Sequence, residues 1–195
     1  CSWQNLASDV QLQAKRANVV AALTRTAHFD ESVAQSLVAP VIASQDVWGY
    51  RNKLELGVSK DAQGKLLLGM YGDASHELVP ITTCKLAHKK IQAAPNALQG
   101  ALRFLQGTQD LGLFRVGVRH SSRTGECEVA LWTRPGAFPR AAVAKTLSSA
   151  LDCTSIVRVV ADEGKARKVK QVECLAGKGC WTERMAGARF AISAP

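Results

Sequence analysis

The sequence lacks the features that would place it in a membrane or in a secreted scaffold. No apolar run approaches the roughly 20 residues that a membrane helix needs, and no signal peptide is visible. Six cysteines spread over 195 residues are too sparse for a disulfide-dense domain. We therefore expect no membrane contact, a reducing compartment and a cytoplasmic location.

The motifs of the familiar enzyme classes are missing as well. There is no Walker-type phosphate loop, no dinucleotide-binding fingerprint and no nucleophile elbow. The four histidines lack metal-ligand spacing, and Cys174 and Cys180 have no second pair or nearby histidine to complete a metal site. The scattered Asp and Glu residues form no recognisable catalytic pair, so we assign no catalytic residue.

Acidic residues are scarce relative to basic ones. The 25 Lys and Arg residues against 16 Asp and Glu give a formal net charge of +9. Such an excess favours polyanionic partners. No Lys/Arg-rich amphipathic helix with aromatic anchors is present, so we rank nucleic acid above a membrane surface. The competing interpretation is a basic surface without a partner.

The pattern of apolar residues predicts an α+β fold, with an antiparallel or mixed sheet built from hairpins and about three helices mainly on one face. The first helix is expected from Ser8, as N-cap, to about Thr26. A connector follows at 30–45, and later helices are expected near Leu86, resuming at Pro95, and after Pro139. The predicted strands are 48–58, 65–71, 78–81, 113–120, 126–133, 154–161, 169–175, 181–185 and 189–193.

The strand predicted at 48–58 has one apolar and one charged parity. The apolar parity, which we expect to be buried, consists of Tyr50, Leu54, Leu56 and Val58. The charged parity consists of Arg51, Lys53 and Glu55. This face is either a solvated strand surface, in which Glu55 pairs with Arg51 or Lys53, or a basic face that meets phosphate.

The strands predicted at 113–120 and 126–133 form an antiparallel hairpin. In the first strand we expect one face to carry Phe114, Val116 and Val118, and the opposite face to carry Arg115 and Arg119. In the second we expect Cys127, Val129 and Leu131 to point inward, and Glu126 and Glu128 outward. Arg119 would extend the basic face of the earlier strand.

Five segments resemble, in family order over almost the whole chain, the RNA uracil-5-methyltransferases of the RumA/TrmA type. Residues 49–55 resemble the family's Y-R-N-K-x-E motif. Residues 1–6 resemble the segment that begins at the third cysteine of its iron–sulfur motif, and residues 81–86 the segment of the fourth. The other two matches are 118–126, which resembles an R-x-s…tGE hairpin, and 187–193, which resembles the segment before a Phe-Phe-Gln motif.

The resemblance implies that residues 1–195 are the central, RNA-contacting and iron–sulfur-associated domain of a larger enzyme. The chain begins with Cys rather than Met, so we expect a piece of a longer protein. The family's TRAM domain and first two cluster cysteines would precede Cys1. Its S-adenosylmethionine domain, nucleophilic Cys and general-base Glu would follow Pro195, so we expect the isolated chain to be inactive.

The resemblance also implies cofactors. The parent enzyme would use S-adenosylmethionine and a 4Fe–4S cluster, for which this chain supplies only Cys1 and Cys84. Such a cluster usually takes four thiolates, so we expect the two cysteines to lie close together without holding a stable cluster. Without the resemblance, Cys84 reads equally well as an ordinary buried thiol.

The function expected from these observations is a contribution to an S-adenosylmethionine-dependent RNA uracil-5-methyltransferase acting on 23S rRNA or tRNA. Arg51 is the expected main RNA contact, because arginine can bind a phosphate with two hydrogen bonds. Lys53 and Arg119 would support it. One alternative is a non-enzymatic RNA-binding module, and another is a structural domain with solvated charges. The oligomeric state is left open.

Overall fold

The computed structural model describes residues 3–72, 75, 77–107, 109–164 and 168–194. The chain divides into two compact units, Cys1–Val47 and Trp48–Pro195. Within the described ranges, no helix is long and apolar enough to cross a membrane.

The first unit contains helix α1, Ser8–Arg25, as the sequence predicted. The predicted cap is wrong by one residue: the N-cap is Ala7, and Ser8 makes no side-chain capping bond. Gln11 also does not complete the expected capping box, in which its side chain would accept a hydrogen bond from the N-cap N–H. Its amide Nε2 donates to the carbonyl oxygens of Trp3, at 3.0 Å, and Leu6, at 2.9 Å, and so fixes the entry to the helix.

A second helix, α2, occupies Glu31–Leu37, where a connector was predicted. Seven residues are too few for an independently stable helix, so tertiary contacts must hold it. Arg16 of α1 supplies them by donating from Nε to the carbonyl of Val38 at 3.0 Å and from a terminal nitrogen to that of Gln35 at 2.8 Å. The Arg16 side chain thus satisfies carbonyls at the C-terminus of α2.

The second unit is built on a mixed sheet of seven strands, in the order β3-β2-β1-β4-β5-β6-β7, as far as the described residues show. Neighbouring strands are antiparallel except β5 and β6, which are parallel and joined through a helix. The elements are β1 Lys53–Lys60, β2 Leu66–Tyr71, β3 Leu78–Pro80, α3 Ala94–Gln106, β4 Leu113–His120, β5 Cys127–Thr133, α4 Arg140–Ala150, β6 Ser155–Ala161, β7 Val169–Gly177, β8 Trp181–Met185 and β9 Ala188–Ile192.

Helices α3 and α4 share one core with the sheet, which confirms the predicted α+β arrangement. The predicted stripes are buried there, with Leu98 and Leu102 from α3 and Val143 and Leu147 from α4. Each fully buried side chain of this size contributes roughly 1.5–3 kcal/mol relative to exposure. The chain around Leu86 forms turns rather than the predicted helix.

The other face of the sheet carries a second apolar cluster, and Phe114 packs against it. Phe114 was expected beside Val116 and Val118, which lie in the core under the helices. A β-bulge between Leu113 and Arg115 corrects that expectation. Because a bulge inserts one extra residue, it reverses the side to which the preceding part of the strand points.

Strand β5 is covered on both faces, so the prediction that Glu126 and Glu128 point outward is wrong. Glu126 accepts hydrogen bonds from Lys178 Nζ and from the backbone N–H of Thr182, both at 2.8 Å. These contacts bring the start of β8 over the start of β5. Glu128 is only 1% exposed, on a strand flanked by β4 and β6.

One buried cation ties β6 to the loop before α4. Arg158 is 2% exposed and donates from Nε to Thr133 Oγ1 at 2.8 Å. Its guanidinium also lies 3.4 Å from a carboxylate oxygen of Glu173 and 4.2 Å from the ring centroid of Phe138. The sequence pattern, which reads as a plain apolar strand, gave no sign of this arrangement.

Candidate nucleic-acid interface

Arg51 lies immediately before β1 rather than within it, because the strand begins at Lys53. The preceding residues bend at Gly49, whose φ is +73°. Side chains alternate between two faces only within a strand, so the predicted parity does not extend to Tyr50. Tyr50 is 57% exposed, and the expectation that it is buried is wrong.

The backbone around Arg51 is nevertheless fixed by residues 85–88. The N–H of Gly49 donates to the carbonyl of Lys85 at 3.1 Å, and that of Arg51 donates to the carbonyl of Leu86 at 2.8 Å. The N–H of His88 donates back to the carbonyl of Arg51 at 2.8 Å. These three bonds hold the base of the Arg51 side chain in a defined position.

A stacked pair of histidine rings joins residues 85–88 to the sheet. The ring centroids of His88 and His120 are 4.5 Å apart, with planes inclined by 30°. Burial, and next the neighbouring His88, lower the pKa of His120 below its usual range. The neutral form of His120 is therefore favoured in the fold, which suits an apolar ring contact at the end of β4.

Lys53 and Arg119 lie directly opposite each other on the antiparallel strands β1 and β4. Opposite residues project from the same face of a sheet, as the sequence analysis expected for these two side chains. Lys53 Nζ is 2.7 Å from Glu55 Oε1, and Arg115 lies 3.3 Å from the same carboxylate. The predicted pairing of Glu55 thus occurs with Lys53. Since both side chains are partly exposed, this pair contributes no more than roughly 1 kcal/mol.

Arg119 has a second neighbour on β5, Glu128. Burial raises the pKa of Glu128 to about 7, while the charge of Arg119 acts in the opposite direction. Neither Glu128 carboxyl oxygen has a hydrogen-bond partner among the described residues. The positive charge of Arg119 therefore partly offsets the negative charge of the buried Glu128 carboxylate, which is a structural role.

Arg51 differs from Lys53 in its charge environment. No carboxylate lies within ion-pair distance of Arg51 in the described part of the chain. Lys85 and Lys89, on the segment that holds Arg51, are exposed and also lack such a partner there. The sequence analysis missed these two lysines, because they lie in turns without a period-2 or helical pattern.

Of the two predicted metal ligands, only Cys84 lies within the described residues. Cys84 is half-buried, and Cys1 lies outside the described residues, so their expected proximity stays a prediction. Across the described ranges, no group of three or more His, Cys, Asp or Glu side chains could hold a metal ion. Because a 4Fe–4S cluster usually needs four thiolates, the described residues do not by themselves fit one.

The remaining cysteines behave as packing residues or surface thiols. All five described cysteines are free. Burial raises the pKa of Cys127 to about 12 and that of Cys153 to about 11, which disfavours the thiolate that nucleophilic attack or metal binding requires. Cys127 lies in the core, with Cys153 packed against it, as the sequence predicted.

The chain is similar to RNA methyltransferases along almost its entire length. An uncharacterized RNA methyltransferase of Staphylococcus aureus strain COL is 28% identical over 202 residues, which cover 99% of this chain and 44% of that protein. One from Thermosynechococcus vestitus is 27% identical over 201 residues, covering 99% and 43%. The chain therefore spans less than half the length of these curated relatives. No protein-family model matches it.

A solved structure shares the fold. The crystal structure of Pyrococcus abyssi tRNA (uracil-54, C5)-methyltransferase in complex with S-adenosyl-L-homocysteine superposes with a TM-score of 0.71 and 21% identity. The match covers 99% of this chain and 44% of that one. The sequence comparisons thus support the predicted resemblance at the level of RNA methyltransferases, and the solved structure shows that the fold is shared.

Proposed function

We propose that this chain is the RNA-contacting central domain of an S-adenosylmethionine-dependent RNA uracil-5-methyltransferase. The observation that carries the RNA-binding part is Arg51, a cation without a carboxylate partner among the described residues on a backbone fixed by three hydrogen bonds. The similarity to RNA methyltransferases over 99% of the chain supports the parent activity.

In this proposal Arg51 binds a backbone phosphate of the RNA through two hydrogen bonds. Arginine suits this role because its planar guanidinium matches the geometry of two phosphate oxygens. Lys53 and Arg119 add positive charge on the neighbouring sheet face, although Glu55 and Glu128 neutralise part of it. S-adenosylmethionine, when bound by the parent enzyme, supplies the methyl group. No described residue of this chain is assigned to that chemical step.

The substrate class follows from the same family proposal. We take it to be tRNA or 23S rRNA in the cytoplasm, with recognition resting on loop shape and unstacked bases. Cys1 and Cys84 would contribute two thiolates to a 4Fe–4S cluster of the parent protein, an assignment supported only by sequence motifs. Iron and sulfide measured in the anaerobically purified full-length protein should fall on Cys84→Ser, and unchanged contents would refute this assignment.

The enzymatic proposal is tested by incubating the full-length protein with labelled S-adenosylmethionine and unmodified tRNA or 23S rRNA transcripts. Label is expected at uracil C5 in one of the two RNAs. RNA binding without any transfer would favour the alternative, a non-enzymatic RNA-binding module. Absence of salt-dependent RNA binding would favour a purely structural domain, since phosphate contacts always weaken as salt is added.

A further inference from the structure

Two large aromatic side chains are exposed immediately before Arg51. Trp48 is 48% exposed and Tyr50 57% exposed. Aromatic residues of this size usually bury most of their surface, and an exposed pair beside cations is a feature of nucleic-acid-binding surfaces. The two residues flank Gly49 and share the fixed backbone described above.

The backbone that carries these rings is held by hydrogen bonds on both sides of Tyr50. Gly49 has a φ of +73°, a conformation that residues with a Cβ adopt with strain. The hydrogen bonds from Gly49 and Arg51 to residues 85 and 86 pin the bend on both sides of Tyr50. Because the backbone is already fixed, only the side-chain rotation of each ring has to be ordered when a flat ligand stacks on it.

Three cations lie on or next to the segments that carry and hold the two rings. Arg51 follows Tyr50 directly, and Lys85 and Lys89 lie on the segment that receives the backbone hydrogen bonds. Among the described residues, none of these three cations has a carboxylate within ion-pair distance. A protein partner would need a complementary acidic apolar surface, whereas single-stranded RNA combines flat bases and phosphates at every nucleotide.

We propose that Trp48 and Tyr50 form a stacking platform for unpaired RNA bases, with Arg51 binding the adjacent phosphate. This inference rests on the proposed RNA-binding function and adds to it a contact with the bases themselves. A base stacks on the exposed ring of Tyr50 or Trp48, and the positive charge of Arg51 fixes the backbone beside it. Stacking tolerates any base, so the platform holds an unpaired segment without reading its sequence.

The test compares two probes that differ only in their bases. One is a single-stranded oligouridylate of about ten nucleotides, within the usual footprint of such surfaces. The other has the same length and charge but carries abasic sites at its central positions. Affinities are measured for the full-length protein and for Trp48→Ala, Tyr50→Ala and Tyr50→Phe. Phe104→Ala serves as a matched control, because Phe104 is an aromatic residue 74% exposed on α3.

The proposal expects the wild-type protein to bind the oligouridylate more tightly than the abasic probe and to show quenching of Trp48 fluorescence only with the former. Trp48→Ala and Tyr50→Ala should each weaken oligouridylate binding by about 10-fold and leave abasic binding unchanged. Tyr50→Phe and Phe104→Ala should bind like the wild type. Unchanged circular dichroism would establish that the variants are folded.

Four results would overturn the proposal. Equal wild-type affinity for both probes would mean that bases make no contact. Equal weakening of both probes by Tyr50→Ala would mean that the ring supports the fold or a protein contact. If Arg51→Ala weakens RNA binding while the aromatic variants do not, the platform is refuted and the proposed RNA-binding function stands. No RNA binding by the wild type would refute both.

Discussion

Replacing Arg158 by methionine should destabilise the chain strongly, because this buried cation makes several contacts at once. Methionine keeps the unbranched apolar stem of the arginine side chain but lacks the Nε donor to Thr133 Oγ1. The carbonyls of Arg134 and Gly136, each 3.3 Å from a terminal nitrogen of Arg158, lose a donor as well. The carboxylate of Glu173 loses one of its two cationic neighbours.

The magnitude depends on what remains around Glu173. Breaking a buried ion pair by removing one partner costs about 3–5 kcal/mol, because the other charge stays buried. Arg140 still binds Glu173 with two hydrogen bonds, at 2.7 and 3.0 Å, and its hydrogen bonding is the main reason that the pKa of Glu173 is lowered. We therefore expect Arg158→Met to cost about 3 kcal/mol, at the lower end of that range.

The assay is urea unfolding followed by far-ultraviolet circular dichroism, with the slope checked for two-state behaviour. Arg140→Met is the matched control, since it removes the exposed partner of the same carboxylate. A surface pair of this kind contributes about 1 kcal/mol or less. If the two variants lose the same free energy of unfolding, or if Arg158→Met loses less than about 1 kcal/mol, the reasoning from burial is wrong.

Three further predictions concern pH, backbone strain and catalysis. Burial raises the pKa of Glu128 from 4.5 to about 7, so the folded state retains a proton that the unfolded state loses, and stability should fall as pH rises from about 4.5 to 7. Glu128→Gln should abolish up to about 3 kcal/mol of that fall. Identical pH profiles of unfolding free energy for the wild type and the variant would contradict the raised pKa of Glu128. Gly177→Ala should destabilise the chain more than Gly64→Ala, because both glycines have positive φ but only at Gly177 would a Cβ clash with the carbonyl oxygen of Thr154. Equal melting temperatures of the two variants would contradict this prediction. The isolated chain should transfer no methyl group from labelled S-adenosylmethionine to unmodified RNA, because no catalytic constellation is present in its sequence, and label above background at uracil C5 would contradict this expectation.

Periodicity predicted the elements of the sheet because its alternation extends over whole strands. The seven strands of the sheet, the separate β8–β9 pair and the buried stripes of α3 and α4 were predicted close to their observed positions. The shared face of Lys53 and Arg119 could also be anticipated, since both residues lie on the charged parity of strands with a buried face, whereas the register that sets them opposite each other was not predicted.

The exceptions arise from contacts between residues distant in sequence. The bulge that turns Phe114 away from Val116 depends on how β4 pairs with β5. Glu128 is buried although it alternates with apolar residues, because β5 is covered on both faces, which its local sequence does not reveal. The local sequence of β6 likewise does not reveal that Arg158 is buried in contact with Thr133 and Glu173.

The candidate interface was predictable in Arg51, Lys53 and Arg119, but not in Lys85 and Lys89 or in its geometry. Arg51 was identified from the motif at 49–55, but its position outside β1 depends on hydrogen bonds to residues 85–88, which lie more than thirty positions further along the chain. The exposure of Tyr50 has the same origin, because the bend at Gly49 ends the alternation on which its predicted burial depended.

RNA affinity as a function of salt, measured for the full-length protein and for Arg51→Ala, tests the central claim most directly. Lys145→Ala is the control, because Lys145 is an exposed lysine on α4, away from residues 48–53. The account predicts that Arg51→Ala weakens binding and reduces the slope of log affinity against log salt by about 1, with thermal stability nearly unchanged. Lys145→Ala should leave the slope unchanged. Lower stability on Arg51→Ala with RNA affinity and methylation intact would contradict the account and make this surface structural.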